Sequence, residues 1–371
     1  MKKVAITGVQ GLIGSHAHAR LHAANCAARF AGKDIVHDIV AIDHALFSDP
    51  VELAEALEGV DSILHFAGVN RGPENEVEEA NPKIADDLIA SCIKAGISPH
   101  IIYANSTHSR SDSAYGRSKR VAGEKLENFA ERYTDLTLPH IFGEGARPYY
   151  NNVTATLVDQ LLKEEPLTIN PEGQVSLLHA GEAAQIAVDA MDQGHTGIME
   201  PEGLPLSIAD LAKKLQTFHS QYVGETVPEL STVFDVQLFN TYRSATYPEG
   251  WPRQVELNVD DRGVLFEAVK ASSGQTFMSV TKPGIVRGDH FHINKIERFL
   301  VIQGEAMIRI RHILGNTVRE FRVCGEKPVF IDMPTLHTHN IENIGSTPLL
   351  TMFWSNEIFD PEYPDTYADK V

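Results

Sequence analysis

An apolar run, Lys3-Val4-Ala5-Ile6, passes almost at once into Gly8-Val9-Gln10-Gly11-Leu12-Ile13-Gly14. No other feature of the sequence constrains the fold as strongly. Glycines with this spacing permit a tight turn from a strand into a helix. They also let the backbone of Gly8, Gly11, Leu12, Ile13 and Gly14 come close to a pyrophosphate, which the positive end of the helix then holds. The expected ligand is a dinucleotide, NAD(H) or NADP(H). Asp43 closes the next apolar run, Ile39-Val40-Ala41-Ile42, where a carboxylate can accept hydrogen bonds from the adenosine ribose. That placement favours NAD, although His44 and Arg71 could offset the charge and leave the choice open.

Further apolar runs follow at Ser62-Ile63-Leu64-His65-Phe66 and Ile101-Ile102-Tyr103, with helical stretches at Val51 to Leu57 and Ala85 to Ala95 between them. This alternation predicts a doubly wound parallel sheet of the Rossmann type. Beyond a Pro/Gly-rich stretch, Ser244 to Pro252, the pattern changes. Short β-type runs (Thr276–Val280, Arg298–Ile302, Ala306–His312, Val329–Ile331, Leu349–Trp354) crowd together with turn residues and no long helix between them. They predict an all-β jelly roll. The expected domains are therefore 1–245 and 246–371.

Tyr115-Gly116-Arg117-Ser118-Lys119 is the second chemical signal. On a helix, positions i and i+4 share a face, so a lysine charge can lower the pKa of the tyrosine while the phenol exchanges a proton with a carbonyl or alcohol oxygen. Ser106 is placed to hydrogen-bond the same oxygen, with Thr107 as the fallback. Together, Gly8/Gly11/Gly14, Phe66-Ala67-Gly68, Ser106 and Tyr115/Lys119 resemble the extended short-chain dehydrogenase family, over roughly residues 1–240. The resemblance implies that Ser106, Tyr115 and Lys119 are catalytic, that Ala67 and Gly68 join the glycine loop in holding the cofactor, and that the substrate is a nucleotide sugar. Arg147, Asn151 and Asn152 stand where such enzymes begin their substrate region.

The second half carries a different constellation: His290 and His292, Glu297, and later His337-Thr338-His339. Two histidines at i, i+2 on a strand face one way. With a glutamate and a distant histidine they can give three-nitrogen, one-oxygen coordination of a divalent metal, zinc first among zinc, iron, manganese and nickel. The spacing resembles both motifs of the cupin family, which implies His290, His292, Glu297 and His339 as ligands. Leu336 departs from the pattern, since glycine usually stands there, and the choice between His337 and His339 stays open, with His339 the better fit.

The combination resembles a bifunctional family of bacterial capsule and O-antigen synthesis that makes the UDP-N-acetyl-L-fucosamine precursor. The segments carrying this wider resemblance are Val259-Asp260-Asp261-Arg262-Gly263, Lys282-Pro283-Gly284, Asn340-Ile341-Glu342-Asn343 and Glu357-Ile358-Phe359-Asp360-Pro361. It implies C3 epimerisation of a UDP-2-acetamido-2,6-dideoxy-4-hexulose in the cupin domain. Reduction of the C4 ketone follows, giving UDP-N-acetyl-L-talosamine. Two alternatives remain: a reductase or 4-epimerase whose cupin only dimerises, and a regulator that senses NAD(P).

Net charge narrows the partners. With 32 basic against 50 acidic residues the formal charge is -18, which argues against nucleic acid or an anionic membrane. Cys26, Cys92 and Cys324 form no CxxC pair, and Val4-Ala5-Ile6 is too short for a signal-peptide core. A cytoplasmic homodimer is expected.

Overall fold

The computed structural model describes residues 1–260, 263–265 and 268–371. Asp261 and Arg262, which belong to one segment of the wider resemblance, lie outside the described residues. In chain order the first elements are β1 (Lys2–Thr7), α1 (Leu12–Phe30), β2 (His37–Ile42), α2 (His44–Ser48), α3 (Pro50–Leu57), β3 (Ser62–His65), α4 (Glu74–Ala95), β4 (His100–Ser106), α5 (Ala114–Phe129) and β5 (Tyr133–Leu138). Then come β6 (His140–Phe142), α6 (Val153–Leu162), β7 (Gln174–His179), α7 (Ala180–Gln193), β8 (Gly197–Met199), β9 (Leu204–Ser207), α8 (Ile208–Val223) and α9 (Val233–Ser244).

Six of these strands form one parallel sheet in the order β2-β1-β3-β4-β5-β8. Its central strands are buried on both faces, which is why they read as unbroken apolar runs. Val4, Ile6, Leu64 and Ile102 pack on α1 and α7 at one face. Ala5, Ile63, Ile101 and Tyr103 pack on α3, α4 and α5 at the other. The strand order reverses between β1 and β3, and in such sheets a ligand binds outside the carboxyl ends of the strands at that point. The glycine loop leaves β1 there, and Phe66-Ala67-Gly68 leaves β3. A smaller sheet, β6-β7-β9, lies in the same unit.

The remaining elements are β10 (Arg253–Gln254), β11 (Asn258–Asp260), β12 (Gly263–Leu265), β13 (Gln275–Thr281), β14 (Val286–Phe291), β15 (Glu297–Gln303), β16 (Glu305–His312), β17 (Val318–Cys324), β18 (Val329–Met333), β19 (His337–Asn343), β20 (Leu349–Ser355) and β21 (Tyr367–Ala368). Two five-stranded sheets, β10-β18-β15-β20-β13 and β17-β16-β19-β14-β21, share a core that includes Phe299, Ile308, Ile310, Ile331, Ile341 and Phe353. This is the expected jelly roll. Alternation sets it: along β16, Ala306, Ile308 and Ile310 are buried while the residues between them are more exposed.

The compact units do not divide at 245/246. One comprises Met1–Thr156 with Thr168–Leu211, the other Leu157–Leu167 with Ala212–Val371. Helix α9 and most of α8 therefore belong with the barrel. Tyr222 of α8 donates to Asp332 at 2.5 Å, and Asn240 of α9 donates to the Asn294 carbonyl at 2.8 Å. Asp332 also takes a bidentate bond from the fully buried Arg298, at 2.6 and 2.9 Å. The stretch expected to be a linker, Ser244 to Pro252, is part of this packing, with Trp251 buried beside Phe330 and Tyr222. Apolar residues within a Pro/Gly-rich stretch were the overlooked sign.

Candidate functional site

Gly8 has φ +65°, and a Cβ there would stand 2.7 Å from the Ala67 nitrogen. A side chain at Gly14 would collide with the Gly8 carbonyl. The two loops at the sheet's switch point thus touch, and only glycine fits the contact. Helix α1 starts with Gly11 as N-cap, no capping side chain and no acidic residue in its first turn. Open N–H groups on a 19-residue helix make a ready anion site, so these residues fit a dinucleotide pyrophosphate. Asp43 sits just past β2, where its Oδ1 accepts from the Leu46 nitrogen at 2.9 Å and caps α2. His44 and Arg71 are exposed.

Helix α5 begins at Ala114, capped by Ser113, and so brings Tyr115 and Lys119 one turn apart as the motif predicts. Ser106, which ends β4, acts on the Tyr115 phenol and favours its ionised form. Lys119 is buried, donates to the Ala104 carbonyl at 2.7 Å, and lies 4.0 Å from the centre of the Tyr103 ring. Burial pulls its pKa down to about 7, against the attraction of Asp135. The phenol behaves differently from expectation. Burial raises the pKa of Tyr115 above its ordinary value, only partly countered by Ser106. In this buried site desolvation outweighs any help from the lysine, whose own charge is weakened.

Two residues that carry no motif hold this arrangement. Asn81, buried in α4, accepts from the Val69 nitrogen and donates to the Val69 carbonyl, each at 2.9 Å, and donates to Ser118 at 2.8 Å. It thereby ties the loop after β3 to α5 and brings Gly68 beside the Lys119 ammonium, 3.9 Å from a Cβ placed on Gly68. Asp135 receives bonds from Asn105, Tyr133 and Thr137 behind Ser106. Neither shows a spacing that sequence reasoning could use.

Among the expected substrate residues, Arg147 is exposed. Asn151, at φ +50°, donates to the Asn70 carbonyl at 2.7 Å and so draws its loop toward the one after β3. Asn152 is buried and uses its amide within the protein: it donates to the Ile141 carbonyl and accepts from the Ala155 nitrogen. It stands just before α6 and ties that helix to β6. Behind this loop, His179 meets Glu144 at 2.8 Å and His16 meets the Glu144 carbonyl at 3.0 Å, all three buried.

The second constellation lies in the barrel. Donor atoms of His290, His292, Glu297 and His339 all fall within 4.8 Å of one another. Nε2 of His292, His339 and His290 stand 2.9, 3.4 and 3.7 Å from Glu297 Oε2. Ligands about 2.1 Å from one tetrahedral ion stand about 3.4 Å apart, so these spacings suit one. Among the described residues, Nε2 of His292 and of His339 has no partner in hydrogen-bond geometry despite complete burial. Their Nδ1 atoms face backbone carbonyls, of Asp365 at 2.5 Å and His337 at 3.2 Å, which leaves Nε2 to present a lone pair. The residues present fit a divalent metal.

Burial pushes the Glu297 carboxyl up, but the surrounding imidazoles, His292 foremost, hold it well below the usual range. Burial takes His339 down to about 4. His290 lies on β14 as expected, whereas His292 falls just past its end. His337 points elsewhere, to the rings of His312 and Tyr247 at 4.8 and 5.0 Å, which favours His339 as the ligand. Leu336 has φ +60°, the left-handed conformation that explains why glycine is usual at this position. A cavity of about 650 Å³ opens on His290 and Glu297 and is also lined by Lys295, Arg287, Phe277 and Phe359.

A dinucleotide cradle beside a Ser–Tyr–Lys group, and a barrel with a three-histidine, one-glutamate cluster, define a nicotinamide-dependent reductase type joined to a cupin. Comparison with known proteins agrees. Residues 4–200 match the NAD dependent epimerase/dehydratase family, and residues 258–367 match the polysaccharide biosynthesis C-terminal domain. The chain belongs to the NAD dependent epimerase/dehydratase family. It is similar to UDP-2-acetamido-2,6-beta-L-arabino-hexul-4-ose reductase of Pseudomonas aeruginosa, 31% identical over 100% of this chain and 99% of the relative. It also resembles the capsular polysaccharide assembling protein CapF from Staphylococcus aureus. There the identity is 29%, 99% of this chain and 100% of that one are covered, and the TM-score is 0.59. The family resemblance legible in the sequence is thus borne out, as is the nature of the chain as an NAD-dependent enzyme. Among the described residues no helix is long and apolar enough to cross a membrane.

Proposed function

We propose that the first unit reduces the C4 ketone of a UDP-2-acetamido-2,6-dideoxy-4-hexulose with NADH or NADPH. The barrel first epimerises C3 at a divalent metal, and the C4 reduction that follows gives UDP-N-acetyl-L-talosamine for a capsule or O-antigen. The observation that carries this reading is the Ser106–Tyr115–Lys119 arrangement at the switch point, in a chain similar over its full length to a UDP-hexulose reductase.

Reduced nicotinamide, when bound, supplies the hydride for C4. The protein supplies the proton and the orientation. With its pKa raised, the Tyr115 hydroxyl stays protonated at neutral pH and can give its proton to the C4 oxygen as that oxygen gains charge. Ser106 donates a hydrogen bond to the same oxygen and holds it in line. Lys119, with a pKa near neutrality, can return a proton to Tyr115 after the transfer. Gly8, Gly11, Leu12, Ile13, Gly14, Ala67 and Gly68 are proposed to hold the cofactor, with Asp43 at the ribose. Arg147 and Asn151 are proposed to meet the nucleotide diphosphate.

In the barrel, a 4-ketone acidifies the C3 proton, and a divalent cation held by His290, His292, Glu297 and His339 would supply Lewis acidity at the ketone oxygen. Zinc fits this donor set best. The cavity beside the cluster lies in the size range of sites for nucleotide-sized ligands. A cytoplasmic homodimer completes the proposal, and light scattering checks the stoichiometry.

The deciding experiment follows C3–H exchange of the keto-sugar in deuterated solvent without nicotinamide. Exchange is expected in the wild type and lost in His290→Ala or after chelation. If it is absent throughout while reduction proceeds, the barrel is only structural.

A further inference from the structure

Between two of the clustered donors, His292 and Glu297, runs a short loop outside any helix or strand. Asn240 of α9 holds its Asn294 carbonyl, and a segment some 70 residues later holds its backbone nitrogens. The Asp365 carboxylate accepts from the backbone nitrogens of Ile293, Asn294 and Lys295, at 3.1, 2.8 and 2.7 Å. Its carbonyl faces His292 Nδ1 at 2.5 Å. On either side, Pro364 and Thr366 hold the buried Lys295 ammonium at 2.5 and 3.4 Å. The next two residues form β21, which pairs Ala368 with His290 and Tyr367 with Phe291, the Tyr367 and Phe291 rings stacked at 5.2 Å. Farther on, Arg311 and Thr338 fasten Asp369.

We propose that Asp365 is the positioning residue of the metal centre, and that 364–369 is a strap holding His290, His292 and the loop before Glu297 in ligating geometry. The proposal rests on the metal reading of the cluster. One residue sets both variables that matter. Its carbonyl fixes the His292 tautomer, so that Nε2 and not Nδ1 faces the ion. Its carboxylate fixes the span between His292 and Glu297. Outer partners of this kind tune metal affinity by about 10–100-fold. Asp365 itself has φ +39°, in the left-handed region that aspartate, like asparagine, adopts more readily than most side chains.

The test uses the full chain, stripped of metal and titrated with Zn²⁺ against a chromophoric chelator, and with Co²⁺ to record the visible ligand-field bands. Asp365→Ala is expected to weaken Zn²⁺ binding about 10–100-fold and to alter the Co²⁺ bands, with far-UV circular dichroism unchanged. Asp365→Asn, which keeps one acceptor oxygen, is expected to fall between. Wild-type affinity and an unaltered Co²⁺ spectrum in Asp365→Ala would overturn the proposal. So would a loss of affinity that merely follows unfolding of the barrel in both variants. A wild type that takes up neither ion contradicts the metal reading, and this proposal with it.

Discussion

At the scale of single residues, environment decides what each group can do. Lys119 reaches a pKa of about 7 because it is buried against the Tyr103 ring and only one carbonyl. On this reading kcat for ketone reduction falls as pH rises through about 7, where the Lys119 ammonium loses its proton. Tyr115 titrates much higher and adds no limb there. An unchanged pH profile across that range would exclude Lys119 as the group that reprotonates Tyr115. Leu336 offers a second prediction. Its left-handed backbone costs about 1 kcal/mol, which glycine would recover. The side chain is 6% exposed, and deleting a buried leucine costs about 2–5 kcal/mol. Packing wins, so Leu336→Gly should destabilise the barrel by about 1–4 kcal/mol in denaturant unfolding. A stabilised variant would show that the strain dominates.

At the scale of elements, the loop from β6 to α6 is fixed to α1 and β7 through Glu144, His16 and His179. Burial raises the Glu144 carboxyl, but His179 and His16 outweigh it and bring it to about 2. Its folded pKa lies below the unfolded value, so its stabilisation is present above about 4.5 and is lost as pH falls toward 2. Burial takes His16 to about 4, and the neutral form it favours is stabilising above about 6.5 and lost as pH falls through 4. Both slopes have the same sign. Thermal stability should therefore fall steadily from about pH 6.5 downward, and Glu144→Gln should flatten the limb below about 4.5. An unchanged limb in that variant would show that Glu144 is not the group responsible.

Elements also show what the sequence could reveal. The glycine turn, the parallel strands and the i, i+4 pair of α5 are local patterns, and each appears in the structure where the residues indicate. The cluster of His290, His292, Glu297 and His339 was legible from motif spacing that resembles the cupin family, although His292 stands just past β14 and not on it. What stayed hidden depends on distant partners. Asn81 acts through Val69 and Ser118, and Asp365 through a loop about 70 residues earlier, with no spacing rule to announce either. The attachment of α8 and α9 to the barrel was hidden for the same reason: their contacts, Tyr222 with Asp332 and Asn240 with Asn294, join segments far apart in the chain. Tyr115 shows the reverse problem, a correct position with an environment that spacing could not convey.

At the scale of the whole molecule, the Ser106–Tyr115–Lys119 group and the His290–His292–Glu297–His339 cluster lie in different compact units of one chain. That separability predicts independent losses. Chelation should abolish C3 exchange and leave reduction of an already epimerised 4-ketone intact, whereas Tyr115→Phe should do the opposite. The central claim is the proton donor at C4, and the most direct measurement is oxidation of reduced nicotinamide by the UDP-4-hexulose, wild type against Tyr115→Phe, with cofactor binding followed by fluorescence. The account predicts a loss of kcat of about 10²–10⁴-fold with unchanged cofactor affinity. Wild-type turnover in Tyr115→Phe would contradict it.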